Sequence, residues 1–382
     1  MKRTLLLSIA ASISFFALAN LTGAGYYRVH NYKTSRYVSV IDNRGKIDYR
    51  NTTADLQAVK LQKNYDEVCC DPAAVLYITP KGSQYQIETQ GTGIYQIISH
   101  YVYLKETGSS SGKKLYNAYG QMEGVIKYLG DAGYFPFFDL GSMETSAKGD
   151  YIKWFISPIN ANSDNFFGVK PTFESNGKYY TTMYASFPFT PYSPGIKVYY
   201  IKGHYNGNIL LEEATGTIAA GNPVLIECST PNPSTNRLEV GGTGTTLSGN
   251  RLIGNYFNCS LGGHINRLAY NKDTMRVLGI CSDGTLGFVK DESLDYIPAN
   301  KCYISVTPGS PDEYKFVSQA EFDAGVDDIT IDAHDIDPYS FDHPVDVYNL
   351  HGIRVLHNAL PDDLESLPAG IYIANGRKLV IR

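Results

Sequence analysis

One tryptophan, five methionines and only 19% charged residues across 382 positions set the first limits on this chain. The formal net charge is −5 and no basic cluster occurs, which excludes a surface able to track phosphates and, with it, nucleic acid as a partner. The eight histidines (His30, His100, His204, His264, His334, His343, His351 and His357) are scattered; none stands in H-E-x-x-H, and no Cys/His set has zinc spacing. No residue set calls for a cofactor. Sustained apolar spacing at i, i+3, i+4, i+7 is almost absent, so helices are not the main building element. Past the N-terminal segment, no apolar run reaches the roughly 20 residues of a membrane span.

What is abundant points to strands. The chain holds 31 Tyr, 36 Gly and 18 Pro. Tyrosine suits a half-buried pleated surface, and frequent Gly and Pro suit many turns. The expected fold class is all-β. A chain of this length allows two or three domains of about 100–200 residues each.

The N-terminus reads as an address. Lys2 and Arg3 precede an apolar run from Leu5 to Leu18 without charge, and Ala17-Leu18-Ala19 is an A-x-A cleavage site. Residues 1–19 are therefore expected to be a signal peptide, with Asn20 as the mature N-terminus. The other reading, an uncleaved anchor helix, is disfavoured by the short run. The C-terminal residues carry a second address. Val345–Leu356 holds two alternating strands joined at His351-Gly352. A second pair is joined at Asn375-Gly376, a dipeptide suited to the positive φ angles of a type I′ turn. Strand–Gly–strand, then Leu367-Pro-Ala-Gly-Ile-Tyr372, then Asn375-Gly-Arg-Lys-Leu-Val-Ile-Arg382, resembles the C-terminal sorting domain of type IX secretion cargo. The resemblance covers 336–382. It implies a secreted or outer-surface protein that crosses the periplasm and meets the secretion machinery through a small β-sandwich tail.

Three units of roughly 40–45 residues fill the first part of the chain. The first holds Tyr26-Tyr-Arg-Val29, Arg36-Tyr-Val-Ser-Val40, Asp42-Asn-Arg-Gly45 and Leu56–Leu61. The second holds Val75–Ile78, Tyr85–Ile87 and Ile94–Ile97. The third runs from Lys114-Leu-Tyr116 to Tyr151-Ile-Lys-Trp-Phe-Ile156-Ser-Pro158. This order resembles ricin-type β-trefoil domains, which implies a β-trefoil-like domain over 20–164 and a lectin-like role. The Q-x-W signature is absent, with Gln57-Ala58-Val59 and Lys153-Trp154 the nearest segments.

Residues 165–318 form the next expected domain, a β-sandwich or open barrel. Its hairpin signals are Asn176-Gly177, Asn206-Gly207 and Ser282-Asp283-Gly284. The segments Lys178–Pro188, Ala220–Cys228, Met275–Gly279 and Ile297–Tyr303 resemble a module of secreted Bacteroidetes proteins that carries no known chemistry. An acidic linker is expected over 319–335. Glu321 to Asp342 holds eight acids and no Lys or Arg, as a solvated tether does, while Asp335-Ile-Asp337 offers hard oxygen ligands that calcium would use.

The chemistry-bearing motifs have structural readings beside the functional ones. Gly108-Ser-Ser-Ser-Gly112 matches G-x-S-x-G, but a nucleophile needs a strand-to-helix elbow, and a polar loop explains the same residues. His264 near Cys259 allows a Cys–His pair with Cys281 or Cys302; a core cysteine and a surface histidine explain them equally. Six cysteines (Cys69, Cys70, Cys228, Cys259, Cys281, Cys302) leave connectivity unreadable, with buried free thiols expected at Cys228 and Cys302. Trp154 fits core packing better than a sugar platform. Tyr32, Asp42, Asn43, Arg44 and Tyr49 form the candidate ligand loop. Sugars want an aromatic face and planar polar groups, although Asp-Asn-x-Gly is also what a turn selects. The expectation is a non-catalytic binding protein for a glycan or for a host or neighbouring-cell surface protein. A structural interaction protein is the second class and an unrecognised hydrolase the third.

Overall fold

The computed structural model describes residues 21–45, 57–89, 93–94, 96–97, 100–101, 103–122, 125–131, 142–144, 149–260, 265–327, 344–349, 353–368, 370–374 and 377–381. The leader, Tyr49, His264, Asp335, Asp337 and the turn dipeptides of the C-terminal strand pairs lie outside them. The chain falls into two compact units, Met1–Val317 and Ser318–Arg382. Both are built on β-sheet, as the composition implies.

The larger unit opens with a closed ring of antiparallel strands. Gly25–Asn31, Leu76–Lys81, Gln84–Thr89, Tyr103–Ser110, Lys113–Met122 and Lys153–Pro158 pair in that order, and the last returns to the first with Val29 opposite Ile156. A hairpin of Tyr37–Gly45 and Gln57–Gln62 leaves the first strand. Another excursion, Val125–Gly130 with Ser142–Glu144, leaves the fifth. Short pairs from 93 to 101 stand at the corresponding place in the middle unit. Strand–hairpin excursions thus recur around the barrel.

Alternation fills the barrel. Tyr27, Val29, Leu76, Ile78, Ile87, Leu104, Tyr116, Trp154 and Ile156 point inward and pack together. Trp154 is fully buried, and its indole N–H donates to the Leu129 carbonyl at 3.0 Å, so it is a core residue. The G-x-S-x-G match is a two-residue hairpin turn: Ser110 pairs with Lys113, and Ser111 and Gly112 carry φ of 50° and 77°. No helix follows the match, so the nucleophile-elbow geometry is missing.

Two features between barrel strands were not legible from strand patterning. Asn64 caps a short helix, Tyr65–Val68, by accepting from the Asp66 N–H at 3.1 Å. Asp71 then caps the 3-10 turn Pro72–Ala74 through the Ala73 N–H at 2.9 Å. Together these place Cys69 and Cys70 beside the second half of the unit.

That half contains a ten-stranded sheet, in the order Phe173–Ser175, Lys178–Met183, Val224–Cys228, Lys197–Tyr205, Asn208–Ala214, Glu313–Val317, Leu286–Val289, Met275–Ile280, Lys301–Ser305 and Leu252–Asn255. All neighbours are antiparallel except Asn208–Ala214 with Glu313–Val317. A second sheet orders Phe167–Gly168, Arg237–Val240 and Phe189–Pro191. Both Asn-Gly turns have the positive φ that selects those residues: 52° and 70° at Asn176-Gly177, 43° and 83° at Asn206-Gly207. Two apolar clusters fill this half, one around Phe187 and Phe189, the other around Phe288 and Ile304.

Barrel and second half share a seam. The Arg28 guanidinium is fully buried and donates to the Phe166 carbonyl at 2.7 Å, Asn165 Oδ1 at 2.8 Å and the Cys69 carbonyl at 3.1 Å. Phe257, from the second half, packs into the barrel core.

The smaller unit contains one four-stranded antiparallel sheet, with Arg354–Ala359, Val345–Asn349, Gly370–Ala374 and Arg377–Ile381 adjacent in that order. The Tyr372 hydroxyl donates to the Pro368 carbonyl at 2.9 Å, which gives the L-P-x-G-x-Y motif a structural role. The stretch assigned to a solvated linker begins instead with a helix, Gln319–Asp327. Its cause is a capping box: the Glu321 carboxylate accepts from the Ser318 N–H at 2.8 Å, and Ser318 Oγ accepts from the Glu321 N–H at 3.3 Å.

One barrel residue makes stability pH-dependent. His30 stands between Tyr37 and Phe155, with ring centroids 4.9 and 5.0 Å away, and its Nδ1 is buried without a partner among the described residues. Burial, with the nearby Lys113 charge adding to it, pushes its pKa down to about 4. The folded state therefore binds fewer protons than the unfolded chain. The His30 contribution is complete above pH about 6.5 and is lost as the pH falls towards 4, by at most about 3 kcal/mol. Urea denaturation from pH 7 to 4 is expected to show this decline in the wild type and a shallower one in His30→Phe. Equal slopes would contradict the assignment.

Candidate functional site

Among the described residues, a cleft of about 500 Å³ lies in the second half. One wall is the end of the hairpin Lys197–Tyr205/Asn208–Ala214, and the other is the 305–311 loop. The type I′ turn at Asn206-Gly207 lets the hairpin end abruptly. Gly207 also lies close to the facing wall, since a Cβ there would stand 3.3 Å from the Glu313 carbonyl oxygen. The Lys315 N–H donates to the Gly207 carbonyl at 2.7 Å and fixes the hairpin end against the strand that follows the loop.

A buried arginine organises the opposite wall. Arg276 is only 2% exposed and donates to the carbonyls of Pro311 at 2.9 Å, Ser310 at 3.1 Å, Lys272 at 2.7 Å and Met275 at 2.8 Å. Satisfying these carbonyls holds the Pro-Gly-Ser-Pro loop in one shape. The Thr307 and Ser310 hydroxyls stand 3.0 Å apart on it.

The cleft surface is neutral. His204 Nε2 donates to the Ser305 carbonyl at 3.0 Å, and its ring meets Tyr314 edge to face at 5.8 Å. Burial lowers the His204 pKa, which favours the neutral imidazole, and its Nδ1 is buried without a partner among the described residues. Tyr205 is 39% exposed at the rim. An accessible aromatic ring beside hydroxyls, the Asn206 amide and a neutral imidazole can receive the apolar face of a ligand while bonding its hydroxyls. Among the described residues no three His, Cys, Asp or Glu side chains converge as metal ligands.

Two residues of the candidate loop, Tyr32 and Asp42, have described side chains, and both lie in the barrel half. Tyr32 is half-buried and meets Phe155 edge to face at 5.6 Å. Asp42 is 1% exposed and accepts from Asn266 Nδ2 at 2.7 Å. Tyr32 lies at the turn preceding the strand Tyr37–Gly45, and Asp42 lies well along that strand, about 16 Å from its start at the usual rise. The structure does not bring these two together. Asn43 and Arg44 continue the strand, with side chains outside the described residues, as is Tyr49.

The thiols divide by environment. All six cysteines are free, and only Cys70 is not buried. Burial pushes Cys228 and Cys302 up to about 12, which leaves them inert as nucleophiles at neutral pH. Tyr205 could have been found from the sequence as the aromatic directly before an Asn-Gly turn. The Thr307–Pro311 wall could not, because nothing local says which hairpin it faces.

No family model matches the chain, and no curated protein matches it. Among solved structures, the crystal structure of the hemolytic lectin CEL-III matches with a TM-score of 0.18 and 12% identity, over 79% of this chain. This chain spans 65% of that lectin's length. Likeness at this level identifies neither the fold nor the ligand.

Asp42→Ala is expected to lower the urea midpoint by about 1–3 kcal/mol of stability, because the Asn266 amide loses a buried acceptor. An unchanged midpoint would show that Asp42 does not brace this contact.

Proposed function

We propose that this is an exported, non-catalytic binding protein of the outer cell surface whose ligand is a glycan held in the Tyr205 cleft. The supporting observation is the conjunction at that cleft of an exposed tyrosine ring, paired hydroxyls, an amide and a neutral histidine. Sugars present alternating C–H and hydroxyl faces, and such a surface matches both without any charge. The volume lies within the usual range of small-ligand sites, about 300–1,000 Å³. The ricin-type likeness of the N-terminal units agrees with this reading, although the cleft is not in the barrel.

Glycan-array binding by the full chain is expected to fall roughly tenfold in Tyr205→Ala, the equivalent of an aromatic contact of about 1.4 kcal/mol. The melting temperature should hardly move, since Tyr205 is a surface residue. A wild-type array without signal would exclude the glycan reading and favour a protein partner at the same surface.

Export rests on the A-x-A leader and on the tail that resembles a type IX sorting domain. The tail strands form a sheet with their own core of Val345, Val347, Leu364 and Tyr372. Deleting residues 336–382 is expected to leave a folded larger unit with an unchanged melting temperature, retained in the periplasm. Export of the deletion at the full-length level would remove the sorting assignment.

A further inference from the structure

The seam between barrel and second half encloses a separate cleft of about 290 Å³. Gln62, Glu67, Cys70 and Asp71 contribute from the barrel side, and Lys170, Thr181, Thr182 and Lys301 from the other. Its unusual member is Lys301. The backbone around it is tightly held: Asn300 takes a φ of 57°, the Tyr184 N–H donates to the Asn300 carbonyl at 2.9 Å, and the Cys302 N–H donates to Thr182 Oγ1 at 3.0 Å. Lys301 therefore projects from a fixed strand start into the cleft.

An ammonium carries three donors. Lys301 Nζ has one partner among the described residues, Thr181 Oγ1 at 2.5 Å, and no carboxylate pairs with it. The acids of the same cleft do not serve. Asp71 already accepts from Gln62 Nε2 at 2.8 Å and from the Ala73 N–H at 2.9 Å, and Glu67 is exposed. The ionisable neighbours that act on Lys301 are the thiols of Cys302 and Cys70, and burial lowers its pKa. Arg28 and Arg276 place most of their donors on carbonyl oxygens instead, and Arg276 also stands 3.6 Å from an Asp312 carboxylate oxygen. Lys301 is half-buried in the cleft wall, and two of its three donors have no protein partner among the described residues, so they face the cleft.

We propose that the seam cleft binds a small carboxylate-bearing ligand, with the carboxylate seated on the Lys301 ammonium, which Thr181 Oγ1 orients, and on the Thr182 hydroxyl, and with Lys170 at the mouth. One floor ammonium with adjacent hydroxyls matches a planar, singly charged two-oxygen group. A phosphate dianion would demand more cationic donors than the floor offers. The ligand bridges both halves of the unit, so its binding stabilises the seam that Arg28 holds. This site is independent of the Tyr205 cleft.

The test uses the full chain and reads acylation of Lys301 by an amine-directed reagent, located by mass spectrometry. Acetate, D-glucuronate and inorganic phosphate are compared with sodium chloride at equal ionic strength. Acetate and glucuronate are expected to slow labelling of Lys301 several-fold while leaving exposed lysines such as Lys272 unaffected, and glucuronate should raise the melting temperature. Lys301→Met should remain folded, because replacing a half-buried charge that has no carboxylate partner among the described residues with an apolar chain of similar length costs little, and it should lose the glucuronate-induced rise. Thr181→Val should weaken the rise, and Tyr205→Ala should retain it. Unprotected Lys301, or a rise that persists in Lys301→Met, overturns the site. Protection by phosphate but not by carboxylates overturns the ligand class.

Discussion

A guanidinium buried among carbonyl oxygens joins the two halves of the larger unit. Arg28 lies on the first barrel strand, yet its donors reach Cys69, Asn165 and Phe166, on segments remote in sequence. Removing it would take the donor from the buried Phe166 carbonyl, at about 1–3 kcal/mol, and leave the Cys69 carbonyl with its backbone donor alone. The backbone reinforces the same contact, since the Gly168 N–H donates to the Cys69 carbonyl at 2.9 Å. The Tyr65 ring stands 5.8 Å from the guanidinium. The helix 65–68, the 3-10 turn after it and the strand at 167–168 therefore keep their positions through one side chain and its neighbours.

Arg276 repeats the device in the second half, where it shapes a loop. Its planar fork of five donors serves four carbonyls at once, one more than the three donors of a lysine could reach. Lys301 shows the contrast. It sits at the seam with a single hydroxyl partner, and its unused donors face a cleft rather than backbone. Two buried cations thus complete the fold, and a half-buried third faces a cleft. The Tyr205 cleft differs again, with a neutral surface whose shape comes from a type I′ turn and from Arg276 behind the opposite loop.

Much of the architecture was readable because strand physics is local. Alternation in Tyr26–Val29 and Lys153–Ile156 gave inward-facing residues that do line the barrel, and both Asn-Gly turns have the backbone their composition demands. The helix Gln319–Asp327 was readable too, in Ser318-Gln-Ala-Glu321, but the run of acids around it favoured a tether. The candidate loop shows the limit. Asp42-Asn-Arg-Gly45 has turn composition, yet in the structure it extends a strand, and Asp42 is buried against Asn266, more than two hundred positions away.

The sequence by itself determined the all-β class and the hairpin turns at Asn176-Gly177 and Asn206-Gly207, because these follow from side-chain alternation and turn stereochemistry. Tertiary structure alone decided which side chains face one another. Ring closure pairs Val29 with Ile156, the seam brings Cys70 towards Lys301, and the parallel pairing of Asn208–Ala214 with Glu313–Val317 sets Tyr205 opposite Thr307. Those contacts join residues about a hundred or more positions apart. Local propensity cannot encode them, because they depend on how whole sheets bury their apolar faces.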